Sequence, residues 1–137
     1  MGTFKSVSAR LREISRRPSF AAQREARGVA LQPLVTAAKG ILQANGNKIT
    51  GAYIESLGVA PVNLRTSAAG PLAGKKHHSI GVLLEWGTAP HFQPQRGVMH
   101  PGAAAFPHMR PAFDQTKGLV VATLGRALIG SIVSRSV

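Results

Sequence analysis

The chain is 137 residues long, which fits one domain with room for one modest core. Its hydrophobic fraction is 44% but its aromatic fraction only 5%, so large anchors are few and association with neighbours would supply burial that the chain lacks. Seventeen Lys and Arg face five Asp and Glu, a net charge of +12 that favours a polyanionic or acidic partner, and the absence of cysteine excludes disulfide frameworks and thiolate sites.

In chain order, Ser8 to Ser15 reads as a short helix that Pro18 ends, with Ser19 placed to cap the next one. Phe20 to Ala44 is a longer helix. Its stripe is Leu31, Leu34, Val35, Ala38, Ile41 and Leu42, and Pro33 is expected to kink or divide it. Asn45-Gly46 supplies a left-handed cap. Ala52 to Val62 reads as a helical turn passing into a strand, and Asn63 to Lys76 as an exposed hairpin or a disordered loop.

Ser79 to Trp86 is the best strand by pattern, its apolar run predicting burial on both faces and a Trp86 at least half buried where the strand ends. Pro90, Pro94, Pro101 and Pro107, with Gly97 and Gly102, then predict an irregular, ordered loop. Pro111 fits the first position of a final helix striped by Phe113, Val120, Val121, Leu124, Leu128 and Ile132. Gly118, Gly125 and Gly130 weaken that helix but allow close approach of another backbone. No stretch reads as a membrane span, and no apolar core with a cleavage site follows the basic N-terminus, so no signal peptide is expected.

The candidate chemistry is thin. His77, His78, His91, His100 and His108 match no zinc spacing and read as surface or interface residues, so no metal or cofactor is expected. Glu85 is a general-base candidate with nothing to pair it to a second acid such as Asp114. A structural ion pair, with Arg110 as the obvious partner, or a backbone cap suits Glu85 better. No phosphate loop, nucleophile motif or strand-borne aromatic set is present, so the chain reads as non-enzymatic and any nucleic-acid contact as electrostatic. The Phe92 to Ala105 loop reads as an assembly contact with Phe92, Met99 and Phe106 as anchors and Arg110 at its far end. The basic run from Lys5 to Arg27, through Arg10, Arg12, Arg16, Arg17, Arg24 and Arg27, is either a solvated face or a contact with DNA or an acidic neighbour, with Lys75 and Lys76 as possible additions.

Three motifs in series resemble the small head–tail joining (tail-completion, or neck) proteins of long-tailed bacteriophages. Thr50-Gly51-Ala52-Tyr53-Ile54-Glu55-Ser56 is similar to that family's Thr-Gly-x-Leu-x-x-Ser element. Glu85-Trp86-Gly87-Thr88 is similar to its Glu-(aromatic)-Gly-Thr, and Phe106 to Asp114, with Arg110-Pro111-Ala112, to its Pro-Phe-Leu-Arg-Pro-Ala. Two departures stand out: Tyr53 replaces the usual Leu, and Pro107-His108 is inserted between Phe106 and Met109.

The resemblance implies an α+β fold, a small antiparallel sheet packed by an N-terminal and a C-terminal helix; the long Pro/Gly loop from Phe92 to Ala105 is this chain's own departure. The motifs cover about Ala30 to the C-terminus of a chain that reads as one domain, 1–137, whose basic leader over 1–19 has no counterpart in that family. The resemblance implies a non-enzymatic, homo-oligomeric ring, commonly a hexamer, in the virion neck. Its partners there would be head-side connector or stopper proteins and tail tube or terminator proteins, with non-specific contact to packaged DNA, assembled in the host cytoplasm. The alternatives are a tail terminator and a basic DNA-binding protein without sequence specificity.

Overall fold

The computed structural model describes residues 18–44 and 51–133, with Val7 and Ala9. Apart from Ala9, the helix expected over Ser8 to Ser15 lies outside the described residues, as do the Asn45-Gly46 cap and Thr50. Among those described, four α-helices and two antiparallel two-stranded sheets form a mixed fold in which an N-terminal and a C-terminal helix pack along each other.

Helix α1 (Phe20–Ala44) starts as its sequence dictates. Ser19 Oγ accepts the Ala22 N–H at 3.2 Å, and the Ser19 carbonyl accepts the Gln23 N–H at 2.9 Å. Ala26, Ala30, Leu34, Val35, Ala38 and Leu42 form its buried stripe. Pro33 does not divide it: α1 continues through the proline, which removes one backbone donor, because buried residues on either side hold both halves against the core.

Helix α2 (Gly51–Ser56) passes directly into β1 (Leu57–Pro61), which pairs antiparallel with β2 (Ser67–Pro71) in the register Leu57↔Pro71 to Pro61↔Ser67. Val62 N–H to Thr66 carbonyl (2.9 Å) and Arg65 N–H to Asn63 Oδ1 (2.8 Å) close the turn, so the hairpin alternative holds over these residues. Arg27 of α1 pins the hairpin, its Nη2 donating to the Leu64 carbonyl at 2.8 Å and its Nε to Ser67 Oγ at 3.4 Å.

The expected strand over Ser79 to Trp86 is instead a 3₁₀ turn (His78–Ile80) running into α3 (Gly81–Trp86). The apolar run is two-faced at helical spacing. Ile80 and Leu84 pack on the core and Gly81 is buried, while Val82, Leu83 and Trp86 point to solvent. Gly81 is required there, since a Cβ would lie 2.8 Å from the Tyr53 hydroxyl and 2.8 Å from Pro71 Cγ.

The loop that follows is more regular than its prolines and glycines predict. It carries a short hairpin, β3 (His91–Gln93) with β4 (Val98–His100), and its base is zipped by Thr88 and Ala103, which exchange backbone bonds of 2.9 and 3.1 Å. Helix α4 (Met109–Val133) begins two residues earlier than expected and places Pro111 third, still within the first turn.

Helix α4 lies along α1, yet among its residues only Ala112 is buried. Val120, Leu124, Leu128 and Ile132 of the expected stripe are partly covered, whereas Phe113 and Val121 are exposed, because each helix offers one flank to a thin two-layer core. Contrary to the sequence reading, α4 is long and apolar enough by composition to cross a membrane, with a mean hydropathy of 1.4 over eighteen residues, none of them buried.

Candidate assembly interface

Of the candidate residues, Glu85, Trp86, Gly87, Thr88, Phe106, Arg110 and Pro111 lie where α3, the loop and α4 meet. The first four N–H groups of a helix have no partner within it. For α4 these belong to His108, Met109, Arg110 and Pro111, and the next, from Ala112, bonds the His108 carbonyl at 3.2 Å. Proline has no N–H, and Glu85 takes the other three: Oε2 accepts from His108 at 2.9 Å and Met109 at 3.0 Å, and Oε1 from Arg110 at 3.0 Å. One carboxylate therefore satisfies the whole helix end, where the helix dipole also favours negative charge. Of the roles open to Glu85, the backbone cap is the one it fills. Burial alone would raise its pKa; the three N–H donors and His108 outweigh that and hold it below the ordinary carboxylate value.

Behind the cap, His108 is 1% exposed and the Glu85 side chain 12%. His108 Nδ1 lies 3.2 Å from Glu85 Oε2 and 3.2 Å from the Phe106 carbonyl. Both neighbours are acceptors, which assigns the proton to Nδ1; in the neutral ring Nε2 then accepts the Tyr53 hydroxyl at 2.8 Å. The two rings meet edge to face at 5.6 Å. Burial first, and then the Glu85 charge, push the Tyr53 hydroxyl up to about 12. A Tyr–His–carboxylate series resembles a proton relay, but this one is enclosed and all three groups hold elements together. Tyr53 and His108, the two departures from the family pattern, are thus hydrogen-bonded to each other.

Trp86 overturns its expectation. It is 66% exposed, because α3 turns its Val82–Trp86 face outward rather than feeding a strand into the core. Arg110 pairs with neither Glu85 nor Asp114: its backbone, not its guanidinium, meets Glu85, and its Cζ sits 4.4 Å from the centre of the Trp86 ring. Asp114 instead lies 3.6 Å from Lys117, both exposed. Gly87 ends α3 at φ 71° with its N–H on the Leu83 carbonyl at 2.8 Å, and Thr88 begins the zipped base of the loop.

Of the loop anchors, Phe92 and Met99 are exposed cross-strand neighbours on the β3–β4 hairpin, while Phe106 is half-buried against the core. His91 and His100 stack at 5.1 Å on the hairpin's other face. Arg24, Lys75 and Lys76 are exposed, and the half-buried Arg27 donates to the Leu64 carbonyl and to Ser67 Oγ at the β1–β2 turn while keeping its charge. Arg10, Arg12, Arg16 and Arg17 lie outside the described residues, as does Thr50; Gly51 opens α2. The Glu85 cap could be anticipated from a lone acid ending an apolar run. The Tyr53–His108 bond had one legible signal, the paired departures from the motif. Compared with protein-family models, curated proteins and solved structures, the chain matches none.

Proposed function

We propose that the chain is a non-enzymatic structural subunit of a phage neck, forming a ring that joins the DNA-filled head to the tail. The observation that carries this reading is the imbalance between core and surface. Among the described residues five large apolar side chains are buried (Leu34, Val35, Leu42, Tyr53 and Leu57), whereas sixteen are at least half exposed. Eleven of the sixteen lie on α3, on the β3–β4 hairpin and along α4, a distribution that suits a subunit completing its burial against neighbours. The convergence of the three motifs supports the resemblance: Tyr53 comes from the first, Glu85 from the second and His108 from the third.

The test is the assembly state of the full chain, by sedimentation and negative-stain microscopy over a range of salt. Closed rings are expected, and deletion of the gene from the phage or prophage that carries it should leave filled heads and separate tails, rescued in trans. A protein that stays monomeric and binds DNA with a steep salt dependence would be the basic DNA-binding alternative instead.

A further inference from the structure

We propose that the exposed face formed by Val82, Trp86, Arg110 and Phe113 is a docking site for an acidic, apolar segment of a non-identical protein. Val82 and Trp86 lie one turn apart on the outer side of α3, Arg110 covers the Trp86 ring, and Phe113 follows Arg110 by one turn of α4. The three apolar side chains are all more than half exposed, and the stacking of Arg110 on Trp86 brings the α3 pair and the α4 pair to one face. Trp and Arg are the residue types on which binding energy concentrates at interfaces.

The patch is also prearranged. Glu85, the neighbour of Trp86 on α3, accepts the backbone N–H of Arg110 itself, so the residue that clamps α3 to α4 also fixes the Trp86–Arg110 pair. Little ordering remains to be done when a partner docks.

Charge selects the occupant. Arg110 has no carboxylate within ion-pair distance among the described residues: the acids nearest to it in sequence are engaged, Glu85 by the helix end and Asp114 by Lys117. Its guanidinium therefore offers a fork of donors beside an apolar shelf, the arrangement that receives a carboxylate flanked by hydrophobic side chains. A second copy has few carboxylates to offer this face, since the chain has only five acids and Glu85 and Asp114 are already engaged. A nucleic acid is a poor occupant too, because phosphate tracking needs several cations, and the side chain that the Arg110 guanidinium meets is the Trp86 indole. The inference stands on this surface and not on the neck reading.

Trp86 is the chain's single tryptophan, so its fluorescence reports on the patch directly. The full chain is titrated with short synthetic peptides that combine Asp or Glu with Leu and Phe, and in parallel with poly-glutamate and with oligo-thymidine. The mixed peptides should shift Trp86 emission to the blue at saturable concentrations, and poly-glutamate should not. Arg110→Glu, an exposed change whose backbone bond to Glu85 survives, should weaken the mixed peptides by ~100-fold with an unchanged melting temperature, and Arg110→Lys should restore binding only in part. An emission shift with oligo-thymidine equal to that with peptide, a shift produced by protein concentration alone, no shift with any mixed peptide, or an Arg110→Glu variant that binds like the parent each overturns the proposal.

Discussion

A carboxylate that accepts three backbone N–H groups at a helix start does the work of a side-chain cap and a charge–dipole pair at once. Glu85→Ala should therefore cost about 2–3 kcal/mol, read from the urea midpoint at an unchanged slope. Because the folded pKa of Glu85 lies below its unfolded value near 4.5, the contribution is fully present above that pH and is lost as pH falls through the folded value. Glu85→Gln should flatten the acid limb of the stability profile, and an identical limb in parent and variant would show that other carboxylates set it. Tyr53 behaves in the opposite sense. Its folded pKa of about 12 exceeds the unfolded 10.0, so its contribution is whole below pH 10 and is lost as pH rises towards 12. Tyr53→Phe should remove that alkaline loss and, at neutral pH, cost about 1–3 kcal/mol by leaving the buried His108 Nε2 without its donor.

Two neighbouring residues at the end of α3 separate stability from surface. Gly87 has φ 71°, and a Cβ there would lie 2.6 Å from the Ala103 carbonyl oxygen and 2.7 Å from the Ala105 nitrogen. Gly87→Ala should therefore destabilise by about 2 kcal/mol or more, since neither the dihedral nor the backbone contact can relax cheaply. Trp86→Ala should cost under about 1 kcal/mol, because the ring is mostly in water and loses chiefly its stacking on Arg110. Thermal melts of the two variants should rank Gly87→Ala well below Trp86→Ala; the reverse order would mean that Trp86 is a core residue. The same contrast explains why α3 is a helix: a six-residue element with three outward apolar side chains makes sense when its inner spacing, Ile80 to Leu84, meets the core.

For the molecule as a whole, a small core and a large apolar surface support the proposal that the chain works in an assembly. The β3–β4 hairpin is the most separable surface, since Phe92, Val98 and Met99 are all exposed and its base is zipped at Thr88 and Ala103. Phe92→Ser with Met99→Ser should leave the melting temperature within a few degrees of the parent while rings disappear from sedimentation profiles. Rings that persist in the double variant would move the subunit contact elsewhere, with the outer flank of α4 the next surface to test.

The helices at both ends, the Ser19 cap and a passage from helix to strand within residues 52–62 were legible in the amino-acid order, as was the excess of positive charge, whereas a hairpin was only one of two readings open for 63–76. Each depends on periodicity, capping or turn chemistry acting over a few neighbouring residues. The state of residues 80–86 was not legible: a short apolar run satisfies either period until the surface that receives it is known. Nor were the partners of Glu85, His108 and Arg110, which are joined to residues 23 to 55 positions away and are chosen by how α2, α3 and α4 are packed. Sequence marked Glu85, Trp86 and Arg110 as a set worth attention. Tertiary packing decided that the carboxylate caps a helix, that the indole faces solvent and that the guanidinium lies on the indole, because a side chain's exposure and contacts depend on what the rest of the chain brings beside it.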